Sequence, residues 1–136
     1  MSETDTSRIF LPSRVRLLFL IVAVLAYVLT ELGRFELRPY VQETGFNDFG
    51  ISRIIGNGGG ILVQIFLALA IINPRPKRSY YLALFFIGGY ILYEFAQPFL
   101  PKGTFDWNDI LATVVGGAIG IGILKLIWNR IPPENK

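Results

Sequence analysis

The 136-residue chain contains no cysteine and no histidine. Without cysteine there is no disulfide framework and no thiolate metal site. Without histidine there is no imidazole general base, no Ser-His triad and no His-ligated metal. Charge is scarce as well: Asp, Glu, Lys and Arg make up 17% of the residues, with a net charge of +3. The basic groups are split among short flanks instead of forming one stripe, which argues against a nucleic-acid partner. Any chemistry falls to carboxylates, Lys, Tyr, Ser and Thr. No cofactor and no resident metal is expected.

What the chain does have is apolar surface. Hydrophobic residues make up 52% of it, and the mean hydropathy is +0.49. That is too apolar for an ordinary soluble domain of this size, so the composition points to a membrane protein. Four apolar runs cover residues 15–30, 54–72, 80–97 and 110–128. Each approaches the ~20 residues that span a bilayer as a helix. The expected fold is an all-α, four-helix integral membrane bundle. It forms a single membrane domain over 1–136, with spans at about 14–32, 52–73, 79–97 and 109–129. The first run resembles a signal-peptide core, but no small-x-small cleavage site follows. The chain continues Thr30-Glu31-Leu32-Gly33-Arg34, so the run reads as a retained helix.

Lys and Arg set the expected orientation. Nine of them share one side: Arg8, Arg14, Arg16, Arg75, Lys77, Arg78, Lys125, Arg130 and Lys136. Four lie on the other: Arg34, Arg38, Arg53 and Lys102, among Glu31, Glu36, Glu43, Asp48, Asp106 and Asp109. This asymmetry places both termini in the cytoplasm and the acidic loops outside. Residues 1–7 read as a polar tail, and 9–12 as an interfacial segment. Pro12 and Ser13 suit a helix start. Residues 33–50 read as the longest outer loop, rich enough in Phe and Tyr to lie on the membrane surface or against another loop. Prolines at 74 and 76 mark a tight turn, Pro98 and Pro101 end the third span, and Pro132-Pro133 ends the fourth.

Glycines are frequent inside the spans. Gly116 and Gly120 form a small-xxx-small face suited to close helix packing. Asn57-Gly58-Gly59-Gly60 reads either as another packing surface or as a break that exposes backbone to a cavity.

The polar residues concentrate at the expected outer edge. Glu94 and Gln97 are three apart and share a helical face, as do Asp106 and Asp109. Asp109 precedes an apolar run and can cap it through the free N–H groups. Asp106 does the same if the helix starts earlier. Thr113 lies one turn beyond Asp109. In a purely structural reading, Asp109 is a cap and Glu94 pairs with Arg34, Arg38, Arg53 or Lys102. In the functional readings, Glu94, Gln97, Asp106, Asp109 and Thr113 line a binding pocket, or two carboxylates form an acid–base pair. A third carboxylate nearby would add oxygen ligands for a divalent cation.

At these residues the chain resembles the VanZ-like family of small bacterial membrane proteins. The family pattern has a Glu and a Gln three apart at the end of one span, then an extracytoplasmic loop with an acidic pair. A helix follows that begins Asp-hydrophobic-hydrophobic-x-Asn, with Gly three and seven residues later. These positions read Glu94, Gln97, Asp106, Asp109, Gly116 and Gly120 here. Asn57 matches an Asn of the family's second span. Thr113 stands where the family usually has Asn, and Thr104 stands near where an Arg is common, with Lys102 close by. The family takes its name from a protein linked to resistance to the glycopeptide teicoplanin. The resemblance implies a multi-pass protein of the bacterial inner membrane concerned with the cell envelope.

The leading expectation is a VanZ-like envelope protein that binds a lipid-linked or glycopeptide ligand at its outer face. Its other partners would be membrane lipids, further membrane proteins or a second copy of itself. The alternative is a small structural or accessory subunit of a larger membrane complex. A carboxylate enzyme ranks last, because no catalytic or phosphate-binding motif accompanies the missing His and Cys.

Overall fold

The computed structural model describes residues 14–131. The expectations for residues 1–7 and 9–12, for Pro12 and Ser13, and for Pro132-Pro133 fall outside them. Helices α1 (Arg14–Leu32), α2 (Arg38–Thr44), α3 (Ile51–Ile72), α4 (Pro76–Ala96) and α5 (Trp107–Arg130) make up the bundle. The described residues contain no strand. Four segments are each long and apolar enough to cross a membrane: Arg14–Thr44, Ile51–Ile72, Pro76–Phe99 and Trp107–Arg130.

The segment read as a long outer loop is mostly helical. A π-turn at Gly33–Leu37 links α1 directly to α2, with the Arg38 N–H donating to the Gly33 carbonyl. The wider π-turn keeps backbone groups bonded while it re-phases the helix face. Pro39 follows the π-turn at once, and because it has no N–H it removes one backbone donor where the helical run changes its winding. α2 ends at Gly45, whose φ of 66° is the left-handed cap that glycine adopts readily. Only the short stretch before α3 is irregular. There Asp48 accepts from the backbone N–H groups of Gly50 (3.0 Å) and Ser52 (2.8 Å), tying down the start of α3. The hydrogen bonds of Ser52, and secondarily that of Gly50, hold the Asp48 carboxyl below the usual carboxylate range.

The turn between α3 and α4 follows from its residues. Asn73 takes a left-handed φ of 47° and its N–H closes on the Leu69 carbonyl. Pro76 then opens α4 at the position where proline is tolerated. α3 is the central helix, packed between α1 and α5, while α4 packs chiefly on α5.

At the end carrying Arg14 and Arg130, Phe19, Ile65, Phe66, Leu69, Ala83 and Leu124 are buried together. The Phe19 ring meets Phe66 at 6.0 Å and Trp128 edge-on at 5.9 Å. Trp128 Nε1 donates to Ser79 Oγ at 2.8 Å, and Ser79 Oγ donates to the Pro76 carbonyl at 2.5 Å. Arg16 Nε donates to the Ala70 carbonyl at 2.6 Å, placing a cation on the C-terminal turn of α3. Leu20, Val24, Leu25, Leu84, Phe85 and Leu126 point outward. The outside is thus as apolar as the inside, as a helix facing hydrocarbon requires.

Candidate functional site

The end of the bundle opposite Arg14 and Arg130 collects the C-terminal turn of α4, the N-terminal turns of α3 and α5, and the 97–106 connection. Glycine sets the spacing there. A Cβ at Gly116 would lie 2.7 Å from the Gly58 Cα, and one at Gly58 would lie 2.8 Å from the Ala112 carbonyl oxygen. Only glycine at both positions lets α3 and α5 come this close. The Asn57–Gly60 stretch therefore does not break its helix. α3 runs unbroken from Ile51 to Ile72, and Gly58 supplies its crossing point with α5.

The close crossing brings Asn57 of α3 to α5, where its Nδ2 donates to Asp109 Oδ1. Asp109 thus serves as a partner between helices and is not the helix cap. The cap is Asp106, which precedes Trp107 in extended conformation and accepts from the Asn108 N–H and Nδ2, both at 2.8 Å. The helix starts early enough to leave Asp109 in its first turn. Thr113, one turn on, is buried at 2% exposure.

On α4, Gln97 Nε2 donates to Glu94 Oε1 at 2.9 Å. Glu94 is only 6% exposed, and its Oε2 has no hydrogen-bond partner among the described residues. The nearby carboxylates of Asp109 and Asp106 act on it electrostatically. The cationic partners considered for Glu94 do not reach it. The ion pair among the described residues joins Arg34 to Glu31 at 3.5 Å. No group of three acidic side chains among the described residues is placed to hold a metal ion. Beside the carboxylates, Phe105 lies 5.4 Å from Phe95 and 5.0 Å from Trp107, ring centre to ring centre.

Glu94 with Gln97, and Asp106 with Asp109, therefore stand at one end of the bundle. Their direct partners come from within each pair's own neighbourhood, or from Asn57. Asn57 lay outside the expected pocket. Its signal was the amide embedded before three glycines, a polar side chain at the spot where another helix can approach. Gly120 lies on the α3-facing side of α5, with an added Cβ 3.1 Å from Leu62, whereas Gly122 faces open space.

A family model described as VanZ/LLP1 matches residues 8–128. No curated protein matches the chain, and no solved structure does.

Proposed function

Starting from the fact that the chain belongs to the VanZ/LLP1 family, we propose that this multi-pass membrane protein serves the bacterial cell envelope. It does so by binding a lipid-linked or glycopeptide ligand at the extracytoplasmic end of its bundle. The observation that carries this reading is the unpaired, buried Oε2 of Glu94. A buried carboxylate oxygen without a donor is costly, typically by ~1–3 kcal/mol or more. Such an oxygen is suited to receive an N–H or O–H from a ligand. Gln97 orients the carboxyl through its other oxygen, while Asp106, Asp109 and Thr113 border the same end of the bundle. The placement of this end outside the cytoplasm rests on the distribution of Lys and Arg.

Glu94→Gln and Asp109→Asn test the reading. Both exchanges keep volume, and the amide oxygen that the second introduces can still accept from Asn57. Both variants should fold to wild-type yield and lose an envelope phenotype, measured as teicoplanin susceptibility in a host lacking its own copy. Full retained activity in both would make the carboxylates structural. The orientation is tested by single-cysteine labelling, which is clean in a chain without Cys. A Cys at exposed Thr104 should react with an impermeant external reagent, and one at exposed Lys77 should be protected. The reverse pattern would put the site in the cytoplasm.

The accessory-subunit reading draws on a different feature. On the outer face of α4, Phe85, Phe86, Gly89, Tyr90 and Tyr93 line an apolar groove. Gly88 and Gly89 meet no neighbour there, as in a helix face awaiting another helix. Native mass spectrometry after gentle extraction separates the two: retained lipid favours the binder, stoichiometric protein partners the subunit.

A further inference from the structure

At the same end of the bundle as the Asn57–Asp109 contact, a concavity of about 320 Å³ opens between α2, α3 and α5. Arg38 and Gln42 of α2, Arg53 of α3 and Asn108 of α5 line it, together with Asp48 and the apolar side chain of Leu111. Two arginines from different helices thus converge on one small space. Among the described residues neither has an ion pair or a side-chain hydrogen bond, in contrast to Arg34, which is held by Glu31. Holding two like charges around a shared cavity is unfavourable unless an anion lies between them. Asp48 is the only acid in the lining. Its two oxygens are already engaged by Gly50 and Ser52, and the lining keeps a net charge of +1 from two arginines and one aspartate.

We propose that this concavity is a phosphate-binding site, with Arg38 and Arg53 as its paired cationic ligands. Guanidinium groups match phosphate oxygens with two parallel N–H donors each. The Gln42 and Asn108 amides add neutral donors from flanking helices. The site lies at the level of the helix ends, where a bilayer presents its headgroup phosphates, and Leu111 gives an acyl chain an apolar surface to follow. The assignment does not depend on Glu94 holding a ligand.

The test uses the full-length protein, stripped of lipid in detergent and titrated with phosphatidylglycerol in native mass spectrometry. Diacylglycerol with the same chains serves as the phosphate-free comparison. Wild type should bind phosphatidylglycerol well above diacylglycerol. The double variant R38Q/R53Q should weaken that binding by roughly tenfold or more, since charge-assisted contacts are lost. R34Q and E94Q should leave it unchanged, which separates this site from the proposed Glu94 pocket. Inorganic pyrophosphate, followed by thermal shift and by displacement of the lipid, identifies the source. Stabilisation of wild type but not of R38Q/R53Q indicates a soluble phosphate ligand, whereas no stabilisation alongside retained phosphatidylglycerol binding indicates a headgroup. If the double variant folds, as judged by circular dichroism, and binds phosphatidylglycerol as wild type does, the proposal is wrong. It is equally wrong if diacylglycerol binds as well as phosphatidylglycerol.

Discussion

At the end of the bundle that carries Arg14 and Arg130, α1, α3 and α5 meet through large side chains. Phe19, Phe66 and Trp128 interlock there, and Arg16 closes the last turn of α3. At the opposite end, α3 and α5 meet through almost no side chain at all, with Gly58 against Gly116. The first arrangement fills space with rings and aliphatic groups, and its buried hydroxyl, Ser79, is satisfied by Trp128 and the Pro76 carbonyl. The second brings two backbones close, and so places the polar side chains at the ends of those helices within reach of one another. In a bilayer, where lipid competes for apolar groups, close packing and hydrogen bonds do much of the work of association. The difference explains why the polar cluster and the arginine-lined cavity both sit at the glycine end.

Breaking the glycine crossing should have the largest effect. Gly116→Leu drives a branched side chain into the Gly58 backbone, which cannot yield as a flexible side chain would. The expected result is loss of most folded protein and a thermal midpoint in detergent well below wild type. Extra methylenes in a packed core typically cost ~1–3 kcal/mol, and a whole Leu side chain against immovable backbone should exceed that range. Gly120→Leu should be intermediate, because Leu62 can shift, and Gly122→Leu close to neutral, because nothing stands in its way. Equal tolerance at all three positions would mean that the crossing does not hold the bundle.

At the other end, Phe19→Ala removes the ring that touches both Phe66 and Trp128. Such truncations cost ~3–5 kcal/mol in soluble cores. The cost should be smaller here, since lipid solvates apolar groups about as well as Leu does. Detergent melting should show a clear drop with the Asn57–Asp109 end still assembled. That separation can be read by whether phosphatidylglycerol binding survives. Loss of both together would show that the two ends fold as one cooperative unit.

The smallest effect concerns Asp48, which fastens the start of α3 beside the arginine-lined cavity. Its carboxyl titrates below its ordinary value of 3.8 because Ser52 and Gly50 donate to the ionised form. A depressed folded-state value stabilises the protein above the unfolded value, and this contribution is lost as the pH falls through the folded value. Melting curves should therefore show a slight extra loss of stability below pH 3.8. Asp48→Asn should remove that part of the acid dependence and leave the curve at neutral pH nearly unchanged, because the group is only partly buried and the Asn amide oxygen can still accept one of the backbone N–H groups. An acid limb identical in wild type and variant would contradict the assignment.

The four helices were legible in the chain because hydropathy is a local property. Runs of apolar residues near the bilayer length become helices wherever they are placed. The same holds for the turns at Asn73-Pro74 and Gln97-Pro98, which depend on proline and on left-handed Asn. The shared face of Glu94 and Gln97 follows from helical spacing alone and appears as a hydrogen bond. Other features depended on which surfaces meet. The helicity of 33–44 could not be read from a stretch with Gly33, Pro39 and several charges, because a π-turn and contact with α3 sustain it. Nor could the division of labour between Asp106 and Asp109 be read, since either residue can cap a helix. Only the crossing of Gly58 and Gly116 brings Asn57 to Asp109 and leaves the cap to Asp106. Composition and spacing thus determined that this is a four-span helical membrane protein with the acids between its spans gathered at one end. The tertiary structure decided which acid has a partner, which carboxylate oxygen has none, and where two arginines line one cavity, because these are relations between helices far apart in the chain.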